Sequence, residues 1–269
     1  ADKKRKLRSI ASGKAKLVIG THAIFQKDTK FKNLSLVIYD EQHRFGVGQR
    51  LKLKEKAASF PHQLLLSATP IPRTMAMTVL SGLEISTIKS LPPNRKPIVT
   101  TSLSNDRRPA LIQRIKEAIS KGSQVYWVCP KIEEGESDLV SVEDLENILK
   151  KEFKKDEYEI LHGKMKDKEK GDILERFKSE QIKILLATTV IEVGIDAPDA
   201  NIMVIENSER FGLSQLHQLR GRVGRGTKES FCILMHKDEM SEIAKQRLSI
   251  IKETNDGFVI AEKDLKLRG

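Results

Sequence analysis

Two adjacent carboxylates follow an apolar run near the start of the chain. Asp40 and Glu41 come directly after LSLVIY, a run typical of a buried strand. At a strand end this pair suits magnesium–nucleotide chemistry, because one carboxylate can hold Mg²⁺, usually through water, while the other accepts a proton from the attacking water. An ordinary acidic turn would explain the same two residues, so the pair alone only suggests a nucleotide site.

Arginines and glycines are packed together in a later segment, where residues 218–225 read QLRGRVGR after a helical pattern. Arginine presents a planar fork to phosphate oxygens, and glycine lets the backbone approach a ligand closely. Arg222 and Arg225 are therefore candidate fingers on the γ-phosphate of a nucleotide. For Arg220, a basic patch that faces nucleic acid is an alternative interpretation.

Hydroxyl groups follow two further apolar runs. Ser67 and Thr69 come after HQLLL, where they can bond back to the Asp-Glu turn or simply cap the next element. Thr188 and Thr189 lie in ATTVIEVGID, a loop whose amides and hydroxyls can hold a nucleic-acid phosphate, and Asp196 at its end can reach a ribose or an arginine. Each segment alone is also consistent with an ordinary loop.

Short apolar runs must position these groups. The runs predict strands at 16–20, 34–40, 62–69, 98–103, 124–129, 158–161, 182–187, 201–205 and 229–235, and helical spacing predicts helices at 106–121, 141–154, 167–179 and 214–220. Continuous apolar strands that alternate with helices indicate an α/β fold with parallel sheets covered on both faces, whose ligands gather at the carboxyl ends of the strands. Pro92, Pro93 and Pro97 mark a linker.

The composition is that of a folded protein with a charged surface, with 39% hydrophobic and 32% charged residues. A net charge of +11 favours a polyanionic partner, although the run Lys3–Lys6 alone is more typical of a solvated surface. No apolar run reaches membrane-spanning length and no signal peptide is present, so a cytoplasmic location is expected. Cys129 and Cys232 each lie in an apolar run, which predicts buried free thiols and no thiol-bound metal.

In this order, the segments resemble the motifs of superfamily 2 helicases: GTHA at 20–23 is similar to motif Ib, DEQH at 40–43 to motif II, SATP at 67–70 to motif III, TTVIEVGID at 188–196 to motif V and QLRGRVGR to motif VI. DEQHRFGVGQR, LLLSATPIPRTMAMT, TTVIEVGIDAPDA and QLHQLRGRVGRG are together similar to the RecG family of branched-DNA helicases, and the resemblance runs from about residue 8 to 269. The motor of the transcription-repair coupling factor is the nearest alternative.

The resemblance implies site residues, which carry over motif by motif. It assigns Asp40 to Mg²⁺, Glu41 to the base, His43 and Gln218 to the catalytic set, and Gly194, Asp196, Arg222 and Arg225 to the nucleotide. It implies softer DNA contacts at Gly20, Thr21, Thr188 and Thr189, and coupling roles for Ser67, Thr69 and Arg268. ATP with Mg²⁺, and double-stranded or branched DNA, are the expected ligands.

The resemblance also implies domains and a tail. We expect the distal part of a first RecA-like lobe at 1–94, a complete second lobe at 95–240 and the start of a helical hairpin for translocation at 241–269. In the tail, Asn255-Asp256-Gly257 predicts a turn. Ile243, Leu248 and Ile251 predict an apolar face before it, and Phe258, Val259 and Ile260 predict packing after it, with Lys263, Lys266 and Arg268 near DNA.

No G-x-x-x-x-G-K-[ST] sequence occurs in the chain, although the family needs that loop to cradle the phosphates. We therefore expect a fragment of a larger motor that is inactive as an ATPase by itself. A helicase half that only binds nucleic acid or a partner is an alternative of a different class.

Overall fold

The computed structural model describes residues 2–41, 56–57, 59–67, 84–88, 90, 96–130, 140–188 and 200–268. The chain divides into two units, residues 1–70 and 71–269, and each is described by itself. Within the described residues, no helix is long and apolar enough to cross a membrane.

A small parallel sheet forms the centre of the first unit. Helix α1 spans Asp2–Ala11, a short 3-10 turn spans His22–Phe25, and strands β1 (Leu36–Tyr39) and β2 (His62–Leu65) pair in parallel. Side chains alternate across β1, so Val37 and Tyr39 are buried while Leu36 and Ile38 are exposed. The buried pair packs against partly buried apolar residues, namely Ile24, Phe25, Phe31, Leu34 and Leu65.

The strand predicted at 16–20 is wrong. These residues form no ladder in the structure, and Leu17 and Ile19 are 76% and 88% exposed. An apolar run becomes a strand only when its backbone groups find a pairing partner. No described strand pairs with this run, which continues as irregular backbone to the turn at His22.

A six-stranded sheet forms the centre of the second unit. Its strands are β3 (Ile98–Ser104), β4 (Gln124–Cys129), β5 (Tyr158–Leu161), β6 (Ile184–Thr188), β7 (Ala200–Ile205) and β8 (Ser230–His236). Their spatial order is β3-β8-β7-β4-β6-β5, and every pairing is parallel. All six lie within two residues of the predicted bounds. Strands β4, β6 and β7 are largely apolar and almost fully buried, whereas the edge strands β3 and β5 include polar residues.

Helices cover both faces of this sheet. They are α2 (Arg108–Ser120), α3 (Val142–Glu152), α4 (Asp167–Lys178), α5 (Leu213–Arg220), α6 (Glu242–Glu253) and α7 (Gly257–Arg268). Alternate residues of β4 reach opposite cores: Trp127 packs with α2 and α3, and Tyr126 packs with the other four helices. The predicted α/β class with parallel sheets is confirmed, and in the second unit helices cover both faces of the sheet.

Local sequence signals set several helix ends. Ser141 and Asp144 form a capping box at the start of α3, with Ser141 Oγ accepting from the Asp144 amide at 3.0 Å. Ser241 caps α6 in the same way through the Ala244 amide. The tail forms the predicted pair of helices, and Asp256 Oδ1 accepts from the Phe258 amide at 2.8 Å to begin α7.

Candidate nucleotide and nucleic-acid site

The two carboxylates lie at the carboxyl end of β1. Tyr39, the last strand residue, is buried, and its carbonyl accepts from the Leu66 amide at 2.8 Å. Asp40 is exposed, and Glu41 is half-buried with a φ of 52°. A side chain in this left-handed region costs about 1–3 kcal/mol, a strain that concentrates at functional sites. The chain therefore turns sharply where the acidic pair begins.

Ser67 lies at the same edge of the first sheet. The parallel register pairs Tyr39 with Leu65, so Asp40 and Ser67 each follow the end of one of two neighbouring strands. Exposed carboxylate and hydroxyl oxygens are hard donors of the kind that Mg²⁺ accepts. The residues present at this edge therefore fit a hydrated magnesium ion.

Gly20 and Thr21 precede the short turn in the first unit. A β carbon on Gly20 would lie 2.8 Å from Ile24 Cγ1, so a residue with a side chain there would crowd the Ile24 side chain. Thr21 is exposed, and its side chain makes no capping bond to the turn. Both features leave backbone and hydroxyl groups accessible at the position predicted to contact DNA.

The arginine motif begins on α5 and continues into a tight turn. Buried Leu213, Leu216 and Leu219 hold α5 against the sheet. After the helix, buried Val223 anchors the turn, and Gly224 takes a φ of 79°.

A β carbon on Gly224 would lie 3.1 Å from Ile98 Cγ1. The limited space beside Ile98 and the positive φ therefore both favour glycine at this position. Arg222 and Gln218 are half-buried and Arg225 is exposed, so all three remain accessible around a fixed turn.

Arg220 has a different environment, and the nucleic-acid patch considered for it is wrong. Its side chain is 2% exposed, and Nη1 donates to the carbonyl oxygens of Ile251 at 2.6 Å and Thr254 at 2.9 Å. Burial lowers the pKa of the guanidinium from its ordinary value. Arg220 therefore joins α5 to the end of α6, because its fork satisfies carbonyls that a helix end leaves unpaired.

Three further bonds hold the helix pair α6–α7 in place. Ser214 Oγ on α5 donates to Asp264 Oδ2 on α7 at 2.9 Å, and Asp264 is buried. Arg247 on α6 donates to the Phe211 carbonyl at 2.8 Å, and Asn255 Nδ2 donates to the Ile98 carbonyl at 3.3 Å. The tail is thus tied to the helix that leads into the arginine turn.

The predicted apolar faces of the tail need correction. Leu248, Ile251 and Ile260 are buried as predicted, whereas Ile243 is 53% and Val259 37% exposed. The buried residues contact the sheet core, whereas Ile243 lies in the first turn of α6, which has only partial cover.

Lys263, expected near DNA, pairs with Glu253 at 3.2 Å across the two tail helices. Lys266 is exposed, as expected.

Several predicted residues lie outside the described part of the chain: His43, Thr69, Thr189, Gly194, Asp196 and the side chain of Arg268. Thr188 is described and ends β6 as a half-buried residue at the carboxyl edge of the larger sheet. The roles assigned to Thr188 and to the residues outside the described part stay predictions. Among the described residues, no group of three or more His, Cys, Asp or Glu side chains forms a metal site.

Sequence reasoning missed Glu206, which follows β7 at the same carboxyl edge. It is fully buried, both of its oxygens accept from Arg108, and Oε1 also accepts from Trp127 Nε1 at 2.9 Å. An acidic residue directly after a continuous apolar strand is the same signal that drew attention to Asp40. Glu206 is fully occupied by these bonds, so it fixes the strand ends and offers nothing to a ligand.

Two family descriptions match this chain. The DEAD/DEAH box helicase family matches residues 1–78, and the helicase conserved C-terminal domain matches residues 108–227. With parallel RecA-like sheets, these matches define the class of protein as a fragment of a superfamily 2 helicase.

Similar proteins narrow the class. ATP-dependent DNA helicase RecG of Pasteurella multocida is 52% identical over 268 residues, which cover 98% of this chain and 39% of that protein. RecG of Escherichia coli K12 is 50% identical over 97% of this chain and 38% of its own length. The chain belongs to the RecG-like helicases of superfamily 2, and it spans about two fifths of the length of these relatives.

Solved structures agree. A structure of RecG bound to a three-way DNA junction has a TM-score of 0.77 and 42% identity, over 98% of this chain and 34% of that one. Mss116p bound to single-stranded RNA and AMP-PNP has a TM-score of 0.61 at 22% identity, over 87% of this chain and 49% of that one, which shows the shared fold alone.

Proposed function

We propose that this chain is the distal part of an ATP-driven motor that translocates on double-stranded DNA and acts on branched junctions. The observation that carries the proposal is the carboxylate pair Asp40–Glu41 at the carboxyl end of the half-buried strand β1, within the segment that matches the DEAD/DEAH box family. The relatives described above are named ATP-dependent DNA helicases, and one is solved on a three-way junction. The RecG name of these relatives favours this function over the transcription-repair coupling factor.

Each residue has a role in hydrolysis. Asp40 holds the hydrated Mg²⁺ that accompanies ATP, and Glu41 accepts a proton from the attacking water. Arg222 and Arg225 stabilise charge on the γ-phosphate, with Gln218 supporting them. His43, Gly194 and Asp196 complete the nucleotide contacts, while Gly20, Thr21, Thr188 and Thr189 contact the DNA backbone. The chain has no phosphate-binding loop motif, so these roles operate only in the full-length protein.

A substitution in the full-length protein tests this assignment. Glu41→Gln removes the proton acceptor and leaves the phosphate-binding loop intact, so we expect ATP binding to survive while DNA-stimulated hydrolysis falls by about 10²–10⁴. Binding is measured with a fluorescent ATP analogue and hydrolysis by phosphate release. Glu239→Gln, an exposed residue of the second unit, is the matched control and should retain turnover. Near-normal hydrolysis by Glu41→Gln would refute the role.

We further propose that the pair α6–α7 couples hydrolysis to movement. The support is the pair of bonds from Ser214 and Arg220 that join it to α5, the helix that leads into the arginine turn, with a third bond from Arg247 to Phe211 just before α5. A shift of Arg222 and Arg225 with the nucleotide state would pass through α5 to both tail helices. Ser67, Thr69 and Arg268 belong to the same proposed coupling path.

A further inference from the structure

The positive charge of this chain is concentrated in its first 32 residues. That segment contains ten lysines and arginines against two aspartates, a surplus of +8 out of the total of +11. The other 237 residues contain 38 basic and 35 acidic side chains, so they are nearly balanced. The surplus is therefore a property of one segment.

All ten basic side chains of the segment are exposed: Lys3, Lys4, Arg5, Lys6, Arg8, Lys14, Lys16, Lys27, Lys30 and Lys32. Helix α1, which contains five of them, buries no residue. Within the described residues, only Arg5 and Lys6 have a carboxylate partner, and both pair with Asp2 at 2.9 Å. Burial and ion pairing do not account for this charge.

The two ends of the basic segment lie close together. The turn after α1 packs against the end of the segment, since a β carbon on Gly13 would lie 2.8 Å from Lys32 Cδ. Lys56 differs from these ten residues, because its ammonium donates to the carbonyls of Gln26 at 2.5 Å and Thr29 at 2.7 Å and so stabilises the fold.

Like charges at this density repel one another, and a polyanion relieves the repulsion. Duplex DNA has one phosphate charge per about 1.7 Å of helix axis, and a ten-residue helix is about 15 Å long, so α1 matches several phosphates. On the basis of the DNA function proposed above, we propose that the basic segment, residues 2–32, is a docking surface for the phosphate backbone of duplex DNA. It binds phosphates and reads no bases.

The test compares two triple variants of the full-length protein with equal loss of charge. The test variant is Lys3→Gln, Lys4→Gln and Arg8→Gln, and the control is Lys154→Gln, Lys155→Gln and Lys168→Gln, all exposed residues of the second unit. Fluorescence anisotropy measures the affinity for a labelled duplex of mixed sequence between about 50 and 200 mM salt. Circular dichroism checks that each variant is folded.

We expect the dependence of log affinity on log salt to become shallower by about 0.9 for each phosphate that the test variant no longer neutralises, and to stay near wild type in the control. An unchanged slope in the test variant, or an equal change in both variants, would overturn the proposal. Tight binding to phosphatidylserine vesicles with the same dependence on Lys3, Lys4 and Arg8, but no change with DNA, would overturn it in favour of a membrane surface.

A measurement of DNA-stimulated ATP hydrolysis distinguishes failure of this proposal from failure of the proposed motor function. Full-length protein that hydrolyses ATP with DNA but keeps its salt slope would refute only the docking surface. A shallower slope in a protein without DNA-stimulated hydrolysis would refute the motor and leave the docking surface standing.

Discussion

Arg220, Arg222 and Arg225 lie within six residues of one another, yet their side chains have different surroundings. Arg220 is buried with its guanidinium on two carbonyls at the end of α6, whereas Arg222 and Arg225 are accessible around the Gly224 turn. The sequence shows three arginines among glycines, and no local pattern distinguishes the buried one, because the carbonyls that it contacts come from residues 251 and 254. Only the folded structure shows that Arg220 has a structural role.

Replacing Arg220 should destabilise the second unit. Arg220→Gln removes a charged donor from two helix-end carbonyls, and we expect the free energy of unfolding to fall by about 2–4 kcal/mol in urea titrations. Arg114→Gln, an exposed position on α2, should change it by less than about 0.5 kcal/mol. Equal stability of the two variants would show that the bonds of Arg220 contribute nothing to the fold.

The two cysteines should be unreactive in the folded protein. Both are buried as predicted, and burial raises the pKa of each thiol to about 12. At neutral pH neither forms the reactive thiolate. Dithionitrobenzoate should therefore modify no thiol in native protein and both thiols in guanidinium, and rapid native labelling would contradict the burial.

The same pKa values predict alkaline destabilisation. The unfolded thiol ionises near pH 8.5 and the folded thiol near pH 12, so in between the unfolded state releases protons that the folded state keeps. The stability contributed by each thiol is complete below about pH 8.5, and the free energy of unfolding falls by up to about 1.4 kcal/mol per pH unit above it. Cys232→Ala should show a shallower fall in urea titrations between about pH 9 and 11, and an unchanged slope would contradict this linkage.

At the scale of elements, the strands were predictable and their partners were not. Apolar runs predicted the inner strands β4, β6 and β7 because a strand covered on both faces requires apolar residues at nearly every position, whereas the edge strands β3 and β5 are only partly buried. The run at 16–20 has the same composition but no described pairing partner, so it stays irregular. Pairing is a property of distant segments, and apolar periodicity does not encode it.

The bond between α5 and α7 provides a test of coupling at the scale of elements. Ser214→Ala in the full-length protein removes the hydroxyl that donates to Asp264. We expect DNA-stimulated hydrolysis to survive in large part, while unwinding of a labelled fork falls several-fold more. Lys245→Ala, which breaks only an exposed pair with Glu242 on α6, is the control and should leave both activities near wild type.

Proportional loss of hydrolysis and unwinding in Ser214→Ala would contradict a coupling role. Gly257→Pro is a weak alternative test, because residue 257 is the first of α7, a position where proline is tolerated.

At the scale of the whole molecule, the chain contains the residues proposed to hydrolyse ATP but no phosphate-binding loop motif. We therefore expect the 269-residue chain by itself to show no ATP turnover above background, with or without DNA, in a phosphate-release assay. Glu41→Gln in the same chain is the control for contaminating ATPase. Turnover by the wild-type chain that this substitution abolishes would contradict the expectation.

The strand order of the second unit has a consequence for synthesis on the ribosome. The edge strand β3 pairs only with β8 in this sheet, and their first residues, 98 and 230, are 132 positions apart. At about 5–20 residues per second, β3 waits roughly 7–26 s after its own translation before its neighbour exists. During that interval its unpaired edge and the apolar residue Val99 are open to other nascent chains. A chain stalled before residue 230 should therefore be far more sensitive to protease around 98–104, and more dependent on chaperones, than one released at its end.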